Sequence, residues 1–290
     1  QTDVGGVWMF DRQPDKSWKQ TGALMGSDAK KSEGFGRWQS VSGDWVAVTA
    51  SGHKIGGRSH GAAYLFHYQG GKWTQTQKLV ATMDSAHKTS SDNHANFSSY
   101  LTMKGDKLLV GCPGDGRKNY RSGAVMYFQR NSANQWQFKS TIFRPSPVKT
   151  DEFGNGGLAL SGKKLLIGCH ACDDAIGLEN PSEGYTFLFK LSGTVWNAAQ
   201  ELRWSPNKDG NYAGASVAFA GSDALVGAYN FDHPLHPTSA TNANTNTGAV
   251  LRWAGKSLCS AADQCVCEAG FTGKTCDLPV APASCPGGQY

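Results

Sequence analysis

Long apolar runs are missing from this sequence: nowhere in its 290 residues does a hydrophobic stretch approach the roughly 18 to 20 residues that cross a bilayer as a helix. Membrane insertion is therefore not expected. A leader with a charged start and an apolar middle is also missing. Charge of one sign is scarce as well. The formal net charge is +5, and the Lys and Arg residues are scattered with no run of five or more, which gives no electrostatic case for a nucleic-acid partner. Long periodic Leu, Ala, Glu and Lys segments are few, which argues against a helical protein. A catalytic constellation is absent too. His53, His60, His67, His87, His94, His170, His233 and His236 are spread along the chain with no acid or nucleophile at a recognisable spacing. The adjacent acids Asp173 and Asp174 read as solvated loop residues. The expectation is a protein without enzymatic activity and without a cofactor.

What is present points to strands. With 36 Gly and 11% aromatic residues, the composition favours short strands joined by tight turns, hence an all-β protein. Gln1 fits a mature terminus left by leader removal. Eight cysteines, four of them crowded between 259 and 276, suggest an oxidising compartment, and secretion to the extracellular surface is the expectation.

The chain repeats itself. Gly6, Gly61, Gly123, Gly184 and Gly248 head equivalent stretches, "GVWMF", "GAAYLF", "GAVMYF", "GYTFLF" and "GAVLRW", separated by 55, 62, 61 and 64 residues. Trp18, Trp73, Trp136 and Trp196 follow the first four glycines at offsets of 12, 12, 13 and 12. Between each tryptophan and the next glycine lies a second hairpin signature, such as "FSSYLTMKGDKLLVGCP", with Gly43-Asp44 and Gly105-Asp106 supplying the positive φ a tight turn needs. Each unit of about 60 residues thus holds four short strands, and a β-rich period of that size means an array. Packing such units around an axis buries both faces of each and leaves only short edges. The four recurring tryptophans are assigned to the core between blades, since a residue present in every unit serves what every unit needs.

These motifs resemble the FG-GAP repeat, the propeller unit of integrin α-subunit heads and of many secreted or surface proteins. The residues that carry the resemblance are Phe35-Gly36, Phe153-Gly154, "LLVGCP" at 108–113, "LLIGC" at 165–169, "ALVGA" at 224–228 and the glycine-headed strands, over residues 5 to about 254. Phe97-Ser98 and Ala213-Gly214 depart from the Phe-Gly pair. The resemblance implies a β-propeller. Its usual seven blades need about 420 residues at this period, so a smaller one of four to five four-stranded blades is expected here. Strand counting gives four units of four plus a fifth glycine-headed strand at 248–253, about seventeen in all by the hairpin signals. The favoured arrangement closes residues 6–22 against the hairpin at 212–228; the alternative pairs a terminal segment with another chain. Calcium-binding members of the family carry an Asp-rich loop after the "VGAP" strand. Here "GCPGDGRKNYRSG", "GCHACDDAIG" and "GAYNFDHPLH" lack the alternating acids, so no family-type metal site is expected.

"CSAADQCVCEAGFTGKTC", residues 259–276, resembles the C-terminal half of an EGF-like module. That resemblance implies a Cys267–Cys276 bridge, with Cys259–Cys265 as the second. The domain plan is a propeller over 1–254, a partial EGF-like module over 255–278 and a Pro/Gly-containing tail over 279–290. Cys112, Cys169, Cys172 and Cys285 read as disulfide partners or buried thiols. The C-x-x-C of 169–172 lacks both a βαβ context and a second ligand pair, so redox and zinc readings are set aside. Asn96-Phe97-Ser98 is the one usable N-glycosylation sequon, and the Thr-rich loop at 233–248 could carry O-linked sugars. Trp38, Tyr100 and Tyr212 are candidate sugar-stacking platforms at blade entrances, with packing between blades as the competing role.

Propeller plus EGF-like module implies, by resemblance, cell-surface adhesion, matrix or surface appendages. The expected function is a secreted structural or adhesive building block, sharpened to a repeating subunit of an extracellular filament. A carbohydrate-binding propeller is the alternative and a hydrolase the third. The expected partners are other copies of the chain, matrix or cell-surface proteins, and glycans.

Overall fold

In the computed structural model the described residues are 4–83, 96–97, 99–173, 183–203, 210–231 and 248–253, with the backbone of 271–272 and 278–279. All regular elements but one turn of 3-10 helix at Ala81–Met83 are strands. In chain order they are β1 (Val7–Arg12), β2 (Trp18–Leu24), β3 (Phe35–Ser42), β4 (Trp45–Ala50), the short hairpin β5 (Lys54–Ile55) and β6 (Arg58–Ser59), β7 (Ala62–Gln69) and β8 (Lys72–Leu79). Then come β9 (Leu101–Lys104), β10 (Lys107–Cys112), β11 (Ala124–Arg130), β12 (Trp136–Ile142), β13 (Leu158–Ser161), β14 (Lys164–Cys169), β15 (Tyr185–Ser192) and β16 (Val195–Leu202). The last blade strands are β17 (Ala213–Ala220), β18 (Asp223–Ala228) and β19 (Ala249–Trp253), followed by the two-residue pair β20 (Phe271–Thr272) and β21 (Leu278–Pro279).

Several small antiparallel sheets result. Three are four-stranded blades, β3-β4-β7-β8, β9-β10-β11-β12 and β13-β14-β15-β16. They are preceded by the two-stranded β1-β2 and followed by the three-stranded β17-β18-β19. The blade strands among the described residues number seventeen, but four units of four is corrected to three, with a two-stranded and a three-stranded sheet at the ends. The inner strands β3, β9, β13 and β17 lie side by side in that order, as blades about a common axis require. Closure of residues 6–22 against 212–228 is also corrected. The outer edge of β18 is occupied by β19, and β1 ladders only with β2 among the described residues.

The repeat register shifts by one residue at its first copy. Gly61, Gly123, Gly184 and Gly248 all have φ between 69° and 82°, and the first-unit glycine that shares this conformation is Gly5 at 84°, not Gly6. The sheet ladders agree. A bulge falls at Met9/Phe10, Leu65/Phe66, Tyr127/Phe128 and Leu188/Phe189, five residues after Gly5, Gly61, Gly123 and Gly184. The Phe-Gly pair now has a physical role. Gly123 forms a parallel bridge to Phe153 of the next blade, as Gly5 does to Phe35. A Cβ on Gly123 would sit 2.2 Å from the Phe153 amide nitrogen, and one on Gly154 2.5 Å from the Ala124 carbonyl oxygen. Only glycine permits this approach, at these positive φ angles.

Period-two alternation gives every blade two apolar faces. Leu108, Met126, Phe128 and Trp136 pack back onto Ala47, Ala63 and Leu65 of the blade before, while Leu109, Val125 and Tyr127 pack forward onto Ile167, Phe187 and Trp196. Leu166 and Leu188 then meet Ala224, Phe219 and Trp253 of the last blade. Because both faces are covered, the second strands β4, β10 and β14 are apolar and buried almost throughout. Trp136 and Trp196 are buried in these interfaces and Trp73 is half-buried. Trp18 is a correction: it is 66% exposed, because its hairpin has no preceding blade to lie against among the described residues. Cys169 and Cys172 form a disulfide with Cα atoms 5.3 Å apart, while Cys112 is a buried thiol directed at the Val110 carbonyl. Cys259, Cys265, Cys267, Cys276, Cys285 and the loop at 233–247 lie outside the described residues.

Candidate functional site

Much of the exposed apolar surface lies at the ends of the array, although Val41, Tyr68, Tyr120 and Val195 are also exposed on the full blades. On β1 the side chains alternate: Val7 and Met9 pack forward onto the first full blade, and Trp8, Phe10 and Arg12 point the other way. Pairing of Arg12 with Trp18 and of Phe10 with Gln20 puts the outer tryptophan on the same face. Trp8 is 60% exposed and Phe10 53%. Their positional equivalents are Tyr64 and Phe66, Met126 and Phe128, and Phe187 and Phe189, all buried between blades. The exposed face is thus half of an interface that the chain completes in its interior.

The opposite end carries the other half. Burial along β18 alternates where β10 and β14 are buried almost throughout, because nothing among the described residues covers the side bearing Asp223, Leu225 and Gly227. Ser216, Ala218 and Ala220 of β17 and Val250 of β19 are exposed on that side, Val250 at 73%. Asp223 accepts an ion pair from Arg252 at 2.6 Å. Beside them an open groove of about 630 Å³ is lined by Ala215, Ser216, Gly227, Tyr229, Gly248 and Val250. At Gly168, one blade earlier, the space over the same position holds the Gly214 backbone of the next blade, within 1.9 Å of an added Cβ.

The candidate platforms sort into stacked pairs. Trp38 lies on Tyr100 with centroids 4.5 Å apart and planes 28° off parallel, joining the first and second full blades. Tyr212 lies on Tyr229 at 5.1 Å and 12°, with His170 6.1 Å from Tyr212. Burial and the nearby Tyr212 and Tyr100 hydroxyls push the Tyr229 phenol up. Trp38 keeps 40% and Tyr229 55% of its surface exposed. Asn96 of the sequon is half-buried with φ of 45°, and Phe97 beside it is fully buried.

Two polar clusters carry no sequence signal, since their members lie up to 50 residues apart. In the first, His53 Nδ1 lies 3.1 Å from the Glu33 carboxylate and His53 Nε2 lies 3.3 Å from Lys78 Nζ, so the ring donates to the acid and accepts from the lysine. Lys78 and the Tyr64 hydroxyl both donate to Asp28, at 2.6 and 2.9 Å. Burial raises the Glu33 pKa, but the bonds from His53 and from the Lys30 and Lys54 amides outweigh it and leave the group below the usual glutamate range. Glu33, His53 and Tyr64 are buried between the half-blade and the first full blade, while Asp28 and Lys78 form the cluster's solvent-facing side. In the second, Arg144 donates to Asp151 at 2.7 Å, both buried, under the rings of Tyr185 and Phe187. In the loop after β10, where the family places its calcium acids, Arg117 engages the buried Asp115 through Nε and a terminal nitrogen at 2.9 and 2.6 Å. A guanidinium supplies the positive charge at this carboxylate.

Comparison with known proteins agrees with the blade description over a limited stretch. A model of the FG-GAP repeat matches residues 18–66, which run from β2 into β7 of the first full blade. No curated protein matches the chain. Among solved structures it is similar to a candidate 6-phosphogluconolactonase from Bacteroides uniformis, at 11% identity and a TM-score of 0.48, covering 80% of this chain and 62% of that one. It is also similar to a mutant Trypanosoma rangeli sialidase displaying trans-sialidase activity, at 13% identity and a TM-score of 0.41, covering 80% of this chain and 38% of that one. The chain spans less than two thirds of either structure, and the likeness to the FG-GAP repeat rests on residues 18–66.

Proposed function

We propose that this chain is a secreted structural building block, a module joined through its blade faces into an extracellular assembly, with no reaction of its own. The observation that carries the reading is the exposed Trp8, Phe10 and Trp18 face. On the order of 400 Å² of aromatic surface lies open there, a patch of the size that marks an interaction site on a soluble protein. The Cys169–Cys172 disulfide and the cysteine-rich segment at 259–276 support an oxidising compartment. The test is electron microscopy of the native secreted material beside light scattering of the recombinant chain, without reductant. Regular filaments or multimers are the expected result; compact monomers in both samples refute the reading.

A second reading is favoured by the stacked pairs Trp38–Tyr100 and Tyr212–Tyr229, whose exposed ring faces suit carbohydrate stacking. Binding to a glycan panel that vanishes in a folded Trp38→Ala variant would support it, and silence across a broad panel would remove it.

A further inference from the structure

Resting on the building-block reading, we propose that the outward face of β1-β2 in one copy docks on the face of β17-β18-β19 that stands open among the described residues in a second copy, joining chains head to tail. Each surface is one half of the contact that already joins successive blades inside the chain, so the docking continues an interface the fold makes repeatedly. Bulk is on one side and its seat on the other. Trp8, Phe10 and Trp18 project from the hairpin, while Ser216, Ala218, Gly227 and Val250 leave the partner sheet low.

The internal contacts say which residues meet. Between the first and second full blades, Trp45 meets Trp136 edge to face at 5.7 Å, and Arg130 lies over the Trp45 ring at 5.0 Å. By the shared register, Asp223 stands where Trp45 does, Arg12 where Arg130 does and Trp18 where Trp136 does. Docking therefore brings Arg12 of one copy to Asp223 of the next, opposite charges in place of a cation over a ring. One interface further on, Tyr127 meets Trp196 at 5.8 Å. Arg252 holds the Tyr127 position, so its guanidinium faces Trp18 in a cation–π arrangement. No Phe-Gly segment of the half-blade lies beside Trp8 among the described residues, which leaves that indole placed to enter the groove at Ser216, Gly227 and Val250. The two patches differ, so the contact is heterologous and repeats from copy to copy into a filament, or into a ring if the rotation closes.

The test uses the full chain with two variants, Trp8→Ser with Phe10→Ser at one end and Val250→Asp at the other. All these residues are exposed, so thermal unfolding of each variant is expected to match the wild type. In light scattering the wild-type mass is expected to rise with concentration, and each variant to self-associate at least about tenfold more weakly. Mixing the two variants is the decisive arm, because each supplies the face the other lacks, and a one-to-one pair that grows no further is expected. Variants that assemble as the wild type does would overturn the docking while leaving the building-block reading in place. So would multimers that vanish on adding reductant and ignore both variants. A wild type that stays monomeric overturns the docking outright, and the native material then decides the broader reading separately.

Discussion

The recurring tryptophan offers one sequence position in several environments, and truncating it measures what a neighbouring blade contributes. Trp136 is 1% exposed, sits edge-on to Trp45 and lies under Arg130, while its backbone exchanges bonds with the Gln77 side chain at 2.8 and 2.9 Å. Trp136→Ala leaves those backbone bonds and removes the ring, a buried aromatic truncation costing about 3–5 kcal/mol. Trp18 has the same ladder position but is 66% exposed, so Trp18→Ala is expected to cost under about 0.5 kcal/mol in the monomer. With an unfolding entropy of about 2.1 cal/mol/K per residue, a chain of this size shifts by roughly 5–8 °C for the first change and by less than about 1 °C for the second. Thermal unfolding followed by circular dichroism in dilute solution reads both. A Trp18→Ala shift as large as that of Trp136→Ala would refute the reasoning, since it would mean that Trp18 is covered within a single chain.

Gly154→Ala places a methyl 2.5 Å from the Ala124 carbonyl at a φ of 91°, so a loss of about 1–3 kcal/mol is expected in urea unfolding, against near neutrality for an exposed strand alanine substitution. Asp151→Asn strands the buried Arg144 guanidinium and is expected to cost about 3–5 kcal/mol by the same assay; a cost under about 1 kcal/mol would show the pair to be dispensable. Glu33 has a folded-state pKa below its unfolded one, so its contribution is present above the ordinary glutamate value, about 4.3, and is lost as pH falls through the lower folded value. Wild type is therefore expected to lose more stability than Glu33→Gln on acidification from pH 5, and parallel curves would contradict the assignment.

Much of the blade plan was legible because the period-two and period-60 signals are local and redundant. The turn glycines Gly43 and Gly105 adopt the positive φ their Gly-Asp context called for, at 60° and 61°. The choice of Gly6 over Gly5 failed because two adjacent glycines offer the same letter, and the register is fixed only in three dimensions, by the positive φ of Gly5, its bridge to Phe35 and the bulge at Met9/Phe10. Trp18 was misplaced because a repeat shows what each unit contains, not whether a neighbour is there to cover it. The blade boundaries were set one hairpin off for a related reason: hairpin signals are symmetric, and the sheet that a hairpin joins depends on its tertiary partner. The clusters around His53 and Arg144 left no trace in spacing, since their partners meet through loop residues whose separations follow no strand or helix period. Trp38 and Tyr100 were singled out separately, yet their stacking needs β3 to lie beside β9.

Residue-resolved hydroxyl-radical footprinting of the full chain across a concentration series tests the central claim most directly. The account expects Trp8, Phe10, Trp18 and Val250 to oxidise readily in dilute solution while Trp45, Trp136 and Trp196 stay protected, and then to become protected together as concentration rises. Protection of Trp8, Phe10 and Trp18 at every dilution would contradict it, because the face would then be covered by the chain itself and unable to receive a partner.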